Sequence, residues 1–284
     1  MTTRSPALNE KGSIFASREG AKQWQRGKAH RAEVTGPANE MMLDLADLRT
    51  GNRVLDVAAG TGDQTLMAAQ RVGAAGYVLA TDISASMLKI AAEAARDAGL
   101  TNIGTKVMDA ENIDLDADSF DTVICRMGLM LFSNPVKALI GMRRVVKRSR
   151  NVVVLVLSTE EKNPFLGMPL TIVRRLVSMR LPTPRASRTF ALAQPGMLEH
   201  AYRQAGFAEV TVHAVGILRR FRSLDDTLRA LKDLSPFFLR DLLAKLSDRE
   251  RKSAWSEIGR QLGQFEKSDG FEIPGEALIG VGTK

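Results

Sequence analysis

Apolar positions change period along this 284-residue chain. Near the N-terminus they recur at helical spacing. Phe15, Ala21 and Trp24 stand among polar residues and predict an amphipathic helix from about Ile14 to Arg31. A second helix is expected from Ala38 to Leu48, stopping before Gly51. From there short apolar runs alternate with helical stretches. Arg53 to Val57, Tyr77 to Thr81, Ile103 to Met108, Phe120 to Cys125 and Val152 to Leu157 read as strands. Thr61 to Val72, Ala85 to Ala98 and Pro135 to Lys147 read as the helices between them. Gly99 sits where helices end, and Pro135 where they begin. Strands separated by helices of about 10 to 15 residues imply βαβ units and a parallel sheet. Short, largely apolar strands suit a sheet covered on both faces, and right-handed crossovers make it doubly wound.

After Leu157 the rhythm changes. Residues 160 to 190 hold prolines, arginines and an apolar helix predicted from Leu170 to Leu181, entered through Pro169. Met197 to Ala205 reads as a helix ended by Gly206, and Glu209 to Val215 as a strand. Two further helices have start signals at Ser235-Pro236 and at the capping box Ser247-x-x-Glu250. Ala277 to Val281 is the last strand. The expected organisation is a single α/β domain over 1–284. It comprises N-terminal helices (14–48), a cofactor-binding core (52–158), and lid and substrate-binding insertions (160–195 and 218–272).

The chemistry concentrates in Val54-Leu55-Asp56-Val57-Ala58-Ala59-Gly60-Thr61-Gly62-Asp63. A buried strand runs into a glycine turn that opens a helix. Glycines let backbone approach a ligand, and the helix start offers free N–H donors. Asp82 ends the next strand, about twenty residues on, where a carboxylate can accept from ribose hydroxyls. Asp109-Ala110 follows the third strand, where a carboxylate and the next N–H can meet an adenine edge. A dinucleotide loop would need glycine where Thr65 stands. It would also set a pyrophosphate against Asp56 and Asp63, whose charges would repel it. A cationic, phosphate-free nucleoside suits these carboxylates. Taken singly, each Asp reads more readily as the cap of the helix or turn that follows; the ordered set points to a ligand.

These residues resemble class I S-adenosylmethionine-dependent methyltransferases, particularly the group that includes ubiquinone/menaquinone-biosynthesis C-methyltransferases. Val54 to Gly62 is similar to the family's first motif, Asp82 to its ribose-binding acid and Asp109-Ala110 to its adenine pair. Ser119 to Arg126 is similar to its fourth strand. The likeness covers residues 40 to 160 and returns before Gly206-Phe207. The turn Lys147-Arg148-Ser149-Arg150 departs from the family's usual Lys-Pro-Gly-Gly. The resemblance implies a Rossmann-like, seven-stranded, mostly parallel sheet with an antiparallel last strand. It also implies S-adenosyl-L-methionine as cofactor, contacted by Asp56, Ala58, Gly60, Gly62, Asp82, Ile83, Met87, Asp109, Ala110 and Arg126.

Methyl transfer is an in-line displacement on an activated carbon, so alignment and exclusion of water can do much of the work. A base is needed only if the nucleophile must lose a proton. His30 is a candidate if the N-terminal helix closes over the site. Arg126, alone among the apolar residues 127–132, could orient an anionic substrate, lie beside the donor, or pair with a carboxylate. No Asn/Asp-Pro-Pro-aromatic motif follows the fourth strand, which speaks against amino-group methylation of nucleobases.

Charge and composition refine the picture. The net charge is +8, and residues 141–188 hold eleven Lys/Arg against two Glu. Such a zone suits an anionic substrate, a membrane surface or RNA, or it is simply solvated. Arg174, Arg175 and Arg180 on the Leu170 helix would make an apolar, basic lid over an amphiphilic or quinone-like small molecule. With 5% aromatic residues and no recognisable RNA-binding module, an RNA methyltransferase is the second reading. A non-catalytic cofactor-binding regulator is the third, and a nicotinamide-dependent oxidoreductase the fourth. DNA is not expected as a partner, and RNA and peripheral membrane contact stay open. One cysteine, Cys125, excludes an intrachain disulfide and fits a reducing cytoplasm. With three scattered histidines it makes no metal set. No apolar run approaches the roughly 18 residues that cross a bilayer, and the polar N-terminus suggests no secretory signal.

Overall fold

The computed structural model describes residues 17–178 and 188–284. The predicted start at Ile14 and Phe15, the end at Leu181 and the lid residue Arg180 lie outside them. The chain runs α1 (Arg18–Arg26), α2 (Lys28–Leu45), β1 (Arg53–Val57), α3 (Asp63–Val72), β2 (Tyr77–Asp82), α4 (Ala85–Asp97), β3 (Ile103–Val107), β4 (Thr122–Arg126), α5 (Pro135–Val145) and β5 (Asn151–Leu157). It continues with α6 (Pro164–Ser178), α7 (Met197–Gln204), β6 (Glu209–Phe221), α8 (Leu224–Phe238), α9 (Arg240–Leu243), α10 (Asp248–Leu262), β7 (Glu266–Lys267) and β8 (Gly270–Thr283).

The strand order is β3-β2-β1-β4-β5-β8-β6, with the two-residue β7 paired to β8. Strands β1 to β5 pair in parallel, while β8 runs antiparallel to both β5 and β6. This is the expected Rossmann-like sheet with an antiparallel last strand. The order reverses at β1, which lies between β2 and β4, and the carboxyl ends of the strands at such a reversal are where open α/β sheets receive ligands. Val152 to Val156 of β5 are wholly buried, as a strand covered on both faces must be.

The structure corrects several boundaries. The two N-terminal helices meet at Gly27, and α2 begins ten residues before Ala38 and runs straight through Pro37. A proline inside a helix costs about 3 kcal/mol. Here it is exposed, while Val34, Thr35, Ala38, Asn39, Met42 and Leu43 bury one helix face, and that burial outweighs the lost backbone bond. Helix α6 likewise begins at Pro164 and contains Pro169. Ser235 and Pro236 fall inside α8, whose start is capped by the Ser223 side chain with Asp225 and Asp226 in its first turn. The Ser247/Glu250 capping box is present as expected.

The last two long strands outrun their predicted lengths. Val215, Ala277 and Leu157 are level across β6, β8 and β5, so Gly216 to Phe221 project past the carboxyl end of β5, paired to β8. Helices α6, α8, α9 and α10 share a second apolar core built on Phe165, Leu170, Val173, Leu231, Leu242 and Ile258, and it also takes in Ile273 of β8. Among the described residues no helix is long and apolar enough to cross a membrane.

On the opposite side, Tyr202 of α7 is fully buried against β8. Its hydroxyl lies 3.1 Å from the Val152 carbonyl and 2.9 Å from that of Gly280. A Cβ at Gly280 would come within 2.7 Å of the ring, so glycine is what lets α7 dock this closely. We expect Tyr202→Phe to lower the unfolding free energy by about 1–2 kcal/mol. Urea denaturation checks this, and an unchanged midpoint would contradict it.

Candidate active site

The glycine turn is built from left-handed backbone. Ala58, Gly60 and Gly62 have φ of 56°, 57° and 85°. At Gly62 a Cβ would fall 2.8 Å from the Ala91 Cβ, so glycine there allows α3 and α4 to pack closely. At Gly60 a Cβ would meet nothing within 4 Å, so the turn faces open space. The Gly60 N–H donates to Asp82 Oδ2 at 2.9 Å and the Ser84 N–H to Oδ1 at 2.8 Å. Asp82 therefore fastens the glycine turn to the end of β2. Each of its oxygens keeps a further lone pair for a ligand.

The neighbouring strand ends complete the rim. Met108 N–H donates to the Asp82 carbonyl, which brings Asp109 alongside. Asp109 accepts from Glu111 N–H at 2.9 Å and from the Asn112 amide at 2.6 Å. Ala110 beside it is half-buried. Ile83 is also half-buried, while Met87 is packed into the first turn of α4 with its N–H on the Ser84 hydroxyl. Gly128 was not singled out from sequence. A Cβ on it would lie 2.6 Å from that of Ala58, so the turn after β4 can close on the turn after β1 only with glycine there. Its signal was position, directly after Arg126-Met127, where Met127 has a positive φ of 57°.

Beneath the turn lies a cluster of unanswered acceptors. Asp56 is 1% exposed, and its Oδ2 accepts from the Thr65 hydroxyl at 2.6 Å, but its Oδ1 has no hydrogen-bond partner. Thr61 Oγ1, Asp63 Oδ1 and Gln64 Oε1 are also buried without one. Burial pushes Asp56 up to about 7, against the Thr65 hydrogen bond and the Arg126 charge, which act the other way. Burial raises Asp82 as well, opposed by the backbone N–H groups of Ser84, Gly60 and Ile83.

Helix α2 crosses over this cluster. Lys28 and Arg31 stand 3.5 and 3.6 Å from the Asp63 carboxylate. Arg126 donates to Asn39 Oδ1 and to the Thr35 hydroxyl, both at 2.7 Å, and so ties α2 to the end of β4. Burial lowers the Arg126 pKa, and Asp63 and Asp56 oppose that. His30 follows on α2. Its Nε2 is buried without a hydrogen-bond partner, and its ring is 4.8 Å from that of Phe221. Burial, then the charge of Arg219, pushes His30 below its ordinary value, so the imidazole is neutral at pH 7.

The basic stretch is dispersed. Lys147 binds Asp121, Arg144 donates to the Ile113 carbonyl, and Arg174 is paired with Glu160 at 3.0 Å. Arg175 is exposed. Among the described residues no group of three or more His, Cys, Asp or Glu could hold a metal ion.

The cluster has a definite chemical preference. Carboxylate and amide oxygens without donors call for a ligand rich in N–H and O–H groups or positive charge. S-adenosylmethionine carries an ammonium, a sulfonium and ribose hydroxyls, and so fits. A pyrophosphate would set anion against anion at Asp56 and Asp63.

Comparison with known proteins agrees. Residues 38–172 match the model of the ubiE/COQ5 methyltransferase family. The ubiquinone/menaquinone biosynthesis C-methyltransferase UbiE of Idiomarina loihiensis is 39% identical over 114 residues, covering 40% of this chain and 45% of that protein. Its counterpart in Methylococcus capsulatus is 40% identical over 114 residues, with 40% and 46% covered. The chain thus spans about half the length of the curated relatives it matches. Among solved structures, the YcgJ protein of Bacillus subtilis has a TM-score of 0.59 at 17% identity, covering 88% of this chain and 98% of that one. A protein described as a putative methyltransferase from Bacillus halodurans has a TM-score of 0.59 at 19% identity, covering 87% and 98%. These two establish the fold.

The Asp56 shift sets a pH dependence. Its folded value of about 7 lies above the ordinary 3.8, so the folded state holds the proton more tightly. Ligand-free stability should therefore fall as pH rises from about 4 to about 7, at up to about 1.4 kcal/mol per unit, and this contribution should level off above that. Asp56→Asn should flatten that slope. Urea unfolding across the range measures it, and a variant with the parent's slope would contradict the assignment.

Proposed function

We propose that this chain, a class I S-adenosylmethionine-dependent methyltransferase core similar to the ubiquinone/menaquinone-biosynthesis C-methyltransferase group, transfers a methyl group from S-adenosylmethionine to a quinone-like or amphiphilic small molecule. The observation that carries the cofactor half is the cluster of buried acceptors without donors around the glycine turn. The likeness to UbiE proteins and the apolar helical layer beyond β5 support the acceptor half.

When bound, the cofactor supplies a methyl carbon already activated by the sulfonium. The chain's task is then to bind, orient and exclude water. Gly60 and Gly62 let the backbone come close. Asp82 accepts from ribose hydroxyls, and Asp109 with the Ala110 N–H meets the adenine edge. Asp56 and Asp63 hold the ammonium, which takes the place of Lys28 and Arg31 at Asp63. Ile83 and Met87 line the nucleoside, and α1 and α2 cover it. Neutral His30 is placed to take a proton if the acceptor's nucleophile must lose one, because its buried Nε2 is free.

Purified protein with a methyl-labelled donor should label quinone-like phenols and leave RNA at low salt unlabelled. Labelled RNA would favour the RNA methyltransferase reading. Cofactor binding with no transfer to extract or to any acceptor would favour a regulator. Asp82→Ala should weaken S-adenosylhomocysteine binding by at least about tenfold, since it removes a hydrogen-bonded carboxylate and frees the turn. Calorimetry measures this, and unchanged affinity would contradict the site.

A further inference from the structure

Arg219 lies on the length of β6 that outruns β5, at the carboxyl ends of the strands where open α/β sheets receive ligands. It is 8% exposed, and its NH1 is buried without a hydrogen-bond partner. No carboxylate among the described residues pairs with it. The other arginines near the site have carboxylate or amide partners, although Arg31 Nε and Nη2 and Arg174 Nε are also buried without hydrogen bonds. Arg31 has Asp63, Arg126 has Asn39 and Thr35 with Asp63 and Asp56 nearby, and Arg174 has Glu160. Among the described residues Arg219 has only the face of Phe165, 5.1 Å from the guanidinium carbon. Phe165 stacks on Phe221 at 5.5 Å, and Phe221 packs against His30, whose Nε2 is also unanswered. Gly275 packs closely here: a Cβ on it would sit 2.7 Å from Ile217 Cγ1, 2.9 Å from Arg219 Nη1 and 3.0 Å from Asn163 Oδ1, so glycine is what admits the guanidinium.

A buried cation without an anion is unfavourable, and folds retain one where something else supplies the charge. Guanidinium is suited to carboxylate and other oxyanions through its fork of donors. Beside it stand the half-buried rings of Phe221 and His30, backed by the wholly buried Phe165. We infer that Arg219 anchors an oxyanion, carboxylate or phenolate, carried by a flat apolar methyl acceptor that lies against Phe221 with His30 at its edge. This rests on the methyltransferase reading and deepens it. It also moves the anion contact away from the lid arginines, because Arg174 is already bound to Glu160.

The test uses the full chain saturated with S-adenosylhomocysteine, titrated with 2-naphthoate and with the uncharged 2-naphthamide. The parent should bind the carboxylate at least about tenfold more tightly than the amide. Arg219→Met and Arg219→Gln should lose that preference, and Arg219→Lys should keep part of it. The ligand-free Arg219→Met protein should melt no lower than the parent, a result that a merely structural arginine would not give. Equal binding of acid and amide by the parent would overturn the inference, even if every variant failed to fold. So would retention of the preference in both Arg219→Met and Arg219→Gln. Neither probe binding while S-adenosylhomocysteine binds normally would overturn it and leave the cofactor reading standing. If S-adenosylhomocysteine itself fails to bind, both fall.

Discussion

The site is organised by buried oxygens left without hydrogen bonds at the tips of β1 and β2. Asp56 is enclosed with one oxygen answered and one not, and Thr61, Asp63 and Gln64 add further unpaired atoms within a few residues. Leaving such groups unmet weakens a fold, because each loses its hydration without a replacement. The chain tolerates this where the backbone is also least ordinary, with Ala58 and Met127 in left-handed conformations at adjacent strand ends. Strain and unmet polarity together mark a place shaped for a visitor.

The rest of the architecture follows from that need. Parallel strands place Asp56, Asp82 and Asp109 near the ends of neighbouring strands, so three carboxylates from distant sequence gather at one edge of the sheet. Helix α2 lies over it, with Lys28 and Arg31 at Asp63 and Asn39 and Thr35 under Arg126. These buried polar contacts sit beside the apolar face of α2, where Val34, Ala38, Met42 and Leu43 pack into the main core. Beyond β5 the paired extension of β6 and β8 carries a second chemistry. There a lone guanidinium and aromatic faces replace the carboxylates. On the proposed reading, cofactor and acceptor would meet walls of opposite charge.

What could be read from sequence was what depends on neighbours in the chain. The run from Val54 to Gly62 showed a buried strand entering a glycine turn, because strand burial and positive φ leave local marks. Asp82 and Asp109 were readable because parallel pairing fixes where strand ends lie. The course of α2 through Pro37 was not, since burial of Val34, Ala38 and Met42 against the sheet decides it. Ser235-Pro236 looked like a start because the pair has that chemistry, while the actual cap, Ser223, was hidden by the unforeseen length of β6. Arg219 went unnoticed for a related reason. A trace of it was present, for Ile217, Arg219 and Phe221 alternate on one side of the strand, and an arginine between two apolar residues of one face is out of place. Its lack of an anion, however, is a property of the folded surroundings alone.

The most direct measurement of the central claim is the proton released when the cofactor binds. Burial pushes Asp56 up to about 7, and an ammonium arriving beside it should expel the proton it holds below that. Calorimetric titration with S-adenosylmethionine near pH 6.5, in buffers of different ionisation enthalpy, counts it. Saturable binding with net proton release, abolished in Asp56→Asn, is the predicted result. Binding without any proton exchange, or no binding of adenosyl-sulfur compounds at all, would contradict the claim that unmet carboxylates define this site.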